Sequence, residues 1–71
     1  MENKKIINVW FAINKNGSIS MFLNKPTKNT KTGKWESNHF FVNSLIYSQI
    51  KKLVEQTKMN WESEPEVIQF I

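Results

Sequence analysis

The sequence predicts a small α+β domain: an antiparallel sheet of three to four strands with one helix packed on one face, in the order β-β-(β)-α-β. Two observations predict this class. Apolar residues alternate along residues 6–14, which is typical of a strand, and they recur at helical spacing between residues 44 and 58. A chain of 71 residues has room for one thin core, so residues 1–71 are expected to form a single domain.

The first third of the chain predicts a β-hairpin. Residues 6–14 form its first strand, and residues 18–25 return as its second strand until a proline ends it. The three-residue loop between them has Gly17 where a positive φ is needed. Pairing Asn14 with Ser18 fixes a register that keeps the two faces separate. The predicted pairs are Ile13 with Ile19, Phe11 with Met21, Val9 with Leu23, Ala12 with Ser20, Trp10 with Phe22, and Asn8 with Asn24.

Two less regular segments follow the hairpin. Residues 27–34 contain no apolar side chain, and we expect them to form a polar loop. Trp35 and residues 40–42 are apolar but too short and interrupted for a regular strand. They predict a short third strand or an irregular edge segment of the sheet.

The second half of the chain predicts a helix and a last strand. Asn43 or Ser44 caps a helix that runs to about Lys58, and Asn60 is a candidate left-handed stop. The apolar stripe of this helix consists of Ile46, Ile50, Leu53 and Val54. Residues 66–71 are apolar on both sides and close the chain as a strand.

One helix covers only one face of such a sheet, so the other face is expected to be open. That face carries Trp10 and Phe22. Together with Trp35 they are the candidate partner-binding residues, because exposed aromatic surface is typical of interfaces. Three alternatives remain for this surface: a foreign partner, a homodimer, or an internal cap supplied by Trp61.

Four lysines are the candidate anion-binding or nucleic-acid-binding residues. Lys25, Lys28, Lys31 and Lys34 recur at every third position. An extended loop with this spacing can follow a phosphate backbone, while Trp35 stacks on a base. The alternative is a solvated surface loop. The chain has no Arg, so an anion would be held by point charges rather than by bidentate bonds.

Composition argues against catalysis and metal binding. The chain has no Cys, no Asp and a single His, which excludes disulfides, thiolate zinc sites and most catalytic triads. A site around His39 would need Ser37 or Ser44 as nucleophile and Glu36 to orient it, and only their closeness in sequence supports one. Alternating glutamates near the C-terminus predict a solvated turn. We therefore expect a non-enzymatic protein without cofactor or metal.

Charge and hydropathy indicate the compartment and the kind of partner. The longest apolar run, residues 9–13, is far shorter than the roughly 20 residues of a membrane span, and no signal-peptide pattern is present. We expect a cytoplasmic protein with no membrane partner. The net charge is +4, and residues 1–34 hold seven Lys against one Glu. This balance favours an anionic partner.

Several short stretches resemble small proteins of phages and mobile elements of low-GC bacteria. The resemblance lies in residues 10–18, Phe22, residues 25–26, residues 33–35 and residues 61–65. It carries no activity with it. It implies a small binding protein, a class that includes anti-CRISPR inhibitors and sponges for immune nucleotides.

These observations lead to one functional expectation and two alternatives. We expect a binding or inhibitor module that acts on a larger nucleic-acid-handling protein or nucleoprotein, with RNA or DNA contacted by the lysines. The alternatives are a sponge that holds a nucleotide messenger at a homodimer interface and a plain nucleic-acid-binding accessory protein.

Overall fold

Six elements follow one another along residues 6–70, the part of the chain that the structure, a computed structural model, describes. They are β1 (Ile7–Ile13), β2 (Ile19–Phe22), β3 (Thr27–Asn29), β4 (Lys34–Glu36), α1 (Ser44–Thr57) and β5 (Glu66–Phe70). Three strands form an antiparallel sheet in the order β2-β1-β5, and β3 and β4 form a separate antiparallel pair. The predicted α+β class, with one helix and small antiparallel sheets, is confirmed.

The register of the first hairpin is as predicted, although β2 is shorter. Four of the six predicted pairs are present, from Ile13 with Ile19 to Trp10 with Phe22. Asn14 N donates to Ser18 O at 2.8 Å and closes the loop. The two predicted pairs beyond Phe22 are wrong, because the chain bends after this residue and leaves the ladder.

Strand β5 pairs with the other side of β1. The register runs from Ile7 opposite Phe70 to Phe11 opposite Glu66. The strand was expected to include Ile71, which lies outside the described residues. The N-terminal strand β1 is therefore the centre of the sheet, with β2 and β5 as its two neighbours.

The segment expected to be a polar loop is a second hairpin. Strands β3 and β4 pair Lys28 with Trp35 and Asn29 with Lys34. Asn29 organises the turn, since its Oδ1 accepts from the backbone of Lys31 and its carbonyl accepts from Gly33 N. Gly33 has a φ of 73°, which favours glycine. Hydropathy does not predict this hairpin, because polar side chains bonded to the backbone of the turn stabilise it in place of an apolar pattern.

Residues 39–41 form the irregular edge segment that was the second alternative for this region. Phe40 makes a single bridge to Phe22 and no regular strand. Leu23 N donates to His39 O at 2.9 Å, and Phe41 N donates to Met21 O at 3.1 Å. These bonds lie along the outer edge of β2 and cover it.

The helix begins and ends where expected, but its left-handed end residue lies two positions before the candidate Asn60. Asn43 is the N-cap, and its side chain accepts from the backbone N–H groups of Leu45 and Ile46. Lys58 has a φ of 57° and ends the helix. The prediction that Asn60 ends it is wrong, because Asn60 instead organises the following turn by accepting from Ser63 N.

The sheet has two faces: the helix covers one, and the β3–β4 hairpin covers part of the other. The helix face carries Val9, Phe11 and Met21, which pack against Ile50 of α1. The predicted helical stripe lies on this face. The opposite face, here called the hairpin face, carries Ala12 and Phe22, and these pack against Trp35 and Trp61. The expectation of an open face is therefore wrong at Phe22, because the β3–β4 hairpin folds over this part of the face, while Trp10 beside it stays half-buried.

Candidate binding surface

An apolar row crosses the hairpin face from one edge of the sheet to the other. Register places Phe40 beside Phe22, Phe22 beside Trp10, and Trp10 beside Val67. We call these four residues the apolar row. Phe22 is fully buried, whereas Trp10 is half-buried, Val67 is 44% exposed and Phe40 is 69% exposed. The row is thus a partly exposed strip of apolar surface at the border of the covering hairpin.

One buried asparagine fixes the hairpin over the sheet. Asn14 is 5% exposed, and its Oδ1 accepts from Trp35 N at 2.9 Å. Its Nδ2 donates to the hydroxyl groups of Ser18 and Ser20 at 2.9 and 2.8 Å. The indole Nε1–H of Trp35 donates to Ile13 O at 2.9 Å. Every polar atom of this contact is satisfied, so Trp35 is a positioned core residue.

Two of the four candidate lysines lie over tryptophan rings. The Lys25 ammonium is 5.9 Å from the centroid of Trp10. The Lys28 ammonium is 4.3 Å from the centroid of Trp61 and 5.4 Å from that of Trp35. Both distances to the nearest ring are in the range of cation–π contacts. Positive charge and half-buried indole rings therefore lie side by side on the hairpin face.

The other two candidate lysines lie elsewhere. Lys31 is in the turn of the β3–β4 hairpin, and Lys34 begins β4 directly after Gly33. Gly33 O accepts from Lys15 N at 2.9 Å, which joins the tips of the two hairpins. The four lysines do not form one ladder, because pairing of β3 with β4 folds the segment that was expected to be extended.

The three candidate aromatic residues differ in what they offer to a partner. Phe22 is fully buried and Trp35 is 7% exposed, so neither presents a surface in this fold. Trp10 is half-buried and accessible, and its role in partner binding stays a prediction. Trp61 is also half-buried and packs edge-on to Trp35, with centroids 6.0 Å apart. Sequence reasoning treated Trp61 only as a cap, because Lys28 is distant from it in the sequence and comes to lie beside it only in the fold.

One cavity among the described residues has the wrong chemistry for an anionic messenger. It has a volume of about 310 Å³ and lies between the end of α1 and the start of β5. Phe11, Leu53 and Met59 contribute apolar lining, and Glu64 and Glu66 contribute carboxylates. Carboxylates repel phosphate groups, so this cavity gives no support to the sponge alternative.

No group of three His or Glu side chains in residues 6–70 could hold a metal ion. His39 is exposed, and its backbone carbonyl accepts a hydrogen bond from Leu23 N at the edge of β2. No helix in this range is long and apolar enough to cross a membrane.

Comparison of the chain with protein-family models, with curated proteins and with solved structures gave no match.

Proposed function

We propose that this protein is a non-enzymatic binding module whose hairpin face contacts single-stranded RNA or DNA, either free or as the exposed strand of a nucleoprotein. The observation that carries the proposal is the pairing of half-buried Trp10 and Trp61 with the Lys25 and Lys28 ammonium groups. Stacking of bases on aromatic rings, combined with positive charge along the backbone, is how proteins bind single strands without sequence preference.

The surroundings of Trp10 support the same chemistry. Asn8 and Gln69 are paired opposite each other, one step along the sheet from Trp10, and both are exposed. Their amide groups can donate to and accept from base edges. None of the residues of β1, β2 and β5 that share this face is acidic. A phosphate group therefore meets no carboxylate on these strands.

The magnitudes favour a base over the lysine that now covers the ring. A cation–π contact at an exposed site contributes about 0.5–1 kcal/mol. Stacking of a base on an aromatic side chain contributes about 1–3 kcal/mol. A base can therefore displace the ammonium from Trp10 or Trp61, and the flexible lysine then reaches the adjacent phosphate. With two rings and two lysines, we expect a dissociation constant of about 1–100 µM at physiological salt, the range of non-specific binding, and tighter binding at low salt.

A single substitution tests the proposal. Trp10→Ala should weaken binding of a fluorescent oligothymidylate or oligouridylate by about 5- to 150-fold, the equivalent of 1–3 kcal/mol of stacking. Trp10→Phe is the matched control, since it keeps an aromatic ring and should retain most of the affinity. Fluorescence anisotropy measures both, and circular dichroism checks that each variant is folded. No binding by the wild-type protein at low salt, or equal affinity of wild type and Trp10→Ala, would contradict the proposal.

A second candidate function is docking onto a larger nucleic-acid-handling protein, as an inhibitor. It is favoured by an exposed apolar segment just before and within the first turn of α1. Phe40, Val42 and Leu45 are 69%, 91% and 76% exposed. Such contiguous apolar exposure is typical of protein interfaces.

The two candidates are separable by crossed variants. If this segment docks, cross-linking in host cells should recover a nucleoprotein with the wild-type protein but not with the double variant Val42→Ser and Leu45→Ser. Trp10→Ala should leave that recovery intact. Loss of recovery with Trp10→Ala alone would instead assign the interaction to the hairpin face.

A further inference from the structure

The two outer edges of the three-stranded sheet differ in whether another segment is bonded to them. The outer edge of β2 is covered by residues 39–41, which exchange backbone hydrogen bonds with Met21 and Leu23. The outer edge of β5 has no partner strand within residues 6–70. An unpaired edge presents backbone donors and acceptors that another strand can use.

The alternation of backbone hydrogen bonds identifies the outward groups of β5. Asn14 N bonds to Ser18, so the backbone groups of every second residue of β1, including Trp10, are directed to β2. The intervening residue Val9 is directed to β5, where it is paired with Ile68. Val67 therefore directs its N–H and C=O away from β1, and so does Gln69, the next alternate residue.

Bonds at the opposite edge agree with this alternation. In β2, Phe22 is paired with Trp10 and its backbone is directed to β1. Its neighbour Met21 is then directed outward, and Met21 O indeed accepts from Phe41 N. The same rule applied to β5 leaves four outward groups in the described strand: the N–H and the C=O of Val67 and of Gln69.

We propose that a second copy of this chain pairs antiparallel with β5, with the two-fold axis at Ile68. Val67 then faces Gln69 of the second copy, and Gln69 faces Val67 of the second copy. Both are hydrogen-bonded pairs, so the four outward groups of each copy are all used. Centring the pair on Val67 instead would place Gln69 opposite Pro65 of the second copy, which has no N–H to donate.

The side chains of β5 are compatible with this pairing. From Val67 to Phe70 the strand has no charge, no proline and no bulge, the usual devices that protect an edge. Glu66 faces Phe70 of the second copy, so like charges do not meet. The pairing makes a six-stranded sheet in which both apolar rows lie on the same side. The proposed dimer uses the backbone of β5 and does not rest on the proposed contact with nucleic acid.

The interface is small, so the dimer should be weak. Edge pairing of five-residue strands falls at the low end of interface sizes, and a dissociation constant of about 50–500 µM is expected. Sedimentation equilibrium from about 20 µM to about 1 mM brackets this range. The mass of the wild-type protein should rise from 8.4 kDa towards twice that value. A mass of 8.4 kDa at the highest concentration would overturn the proposal.

Proline at an outward position gives a selective variant. Gln69→Pro removes an N–H that makes no bond within one copy, and proline is tolerated at such edge positions. It should weaken the dimer about tenfold or more, since two inter-strand bonds are lost by symmetry. Gln69→Ala is the matched control, which keeps the N–H and should dimerise like the wild type. Equal association of Gln69→Pro and Gln69→Ala would overturn the proposal.

A measurement on the wild-type protein covers the case in which Gln69→Pro does not fold. The amide protons of Val67 and Gln69 should exchange with solvent more slowly at about 1 mM than at about 20 µM, because dimerisation buries them. The amide of Val9, which is directed to β5 in both states, should slow less, because it gains only from the added stability of the dimer. Exchange rates of Val67 and Gln69 that do not depend on concentration would overturn the proposal.

Discussion

The helix face and the hairpin face of the same sheet are buried by different physical means. On the helix face, Val9 and Phe11 pack against Ile50 in a cluster made of apolar side chains. On the hairpin face, Phe22 packs beneath Trp35, whose backbone and indole N–H groups are both hydrogen-bonded to the sheet. The first contact needs apolar area, and the second also needs directional bonds.

This difference explains why the hairpin face is the better candidate for function. A helix with a long apolar stripe spans the sheet, whereas a two-stranded hairpin is only about 5 Å from strand to strand. The hairpin therefore covers Ala12 and Phe22 fully but leaves Trp10 and Trp61 half-buried. Incomplete cover leaves indole surface accessible beside Lys25 and Lys28.

The largest expected effect tests whether the two faces are equally part of the core. Phe11→Ala on the helix face and Phe22→Ala on the hairpin face should each lower the free energy of unfolding by about 3–5 kcal/mol. Both rings are fully buried. Urea denaturation measures the two values. Substitution of an exposed side chain costs little stability. A loss below about 1 kcal/mol for Phe22→Ala would therefore mean that Phe22 is exposed and that the hairpin does not cover the sheet.

A smaller effect tests the directional bonds of the hairpin face. Asn14→Ala removes the acceptor of Trp35 N and the donor to Ser18 and Ser20. The unfolding free energy should fall by about 1–3 kcal/mol, the cost of leaving a buried donor unpaired. Asn8→Ala is the control: Asn8 lies in β1, its side chain is exposed, and the change should stay within about 0.5 kcal/mol. Equal values for the two variants would contradict the role of Asn14.

The sequence predicted the helix face well because its signals are local or periodic. Ile46, Ile50, Leu53 and Val54 lie at helical spacing, and the first hairpin has its register fixed by Asn14 and a glycine turn. The hairpin face was predicted poorly. Its key bond joins Asn14 to Trp35, 21 residues apart, and both strands of the covering hairpin are short and largely polar. No periodicity signals such a contact.

The candidate site was predicted in part for the same reason. Trp10, Lys25 and Lys28 lie on the proposed surface, as the composition of the segment suggested, but the fold of the β3–β4 hairpin separates Lys31 and Lys34 from them. The separation follows from the pairing of β3 with β4, in which Lys28 lies opposite Trp35 and the chain turns back between them. It depends on a tertiary contact rather than on local sequence.

The smallest expected effect separates these two lysine pairs. Changing Lys25 and Lys28 together to Gln should flatten the log–log salt dependence of single-strand binding by about 0.7 for each lost phosphate contact. Changing Lys31 and Lys34 together to Gln removes the same charge and should leave the slope near the wild-type value. Anisotropy titrations over a range of salt concentrations give both slopes. The same slope for both double variants would mean that only net charge attracts the strand.

The most direct test of the proposed binding surface follows the indole N–H resonances of the three tryptophans by NMR during titration with a single-stranded oligonucleotide at low salt. Trp10 and Trp61 are half-buried beside lysines, whereas the Trp35 indole is buried and bonded to Ile13 O. The account predicts that the Trp10 and Trp61 resonances shift with increasing oligonucleotide while the Trp35 resonance stays in place. Unchanged Trp10 and Trp61 resonances at saturating oligonucleotide would contradict it.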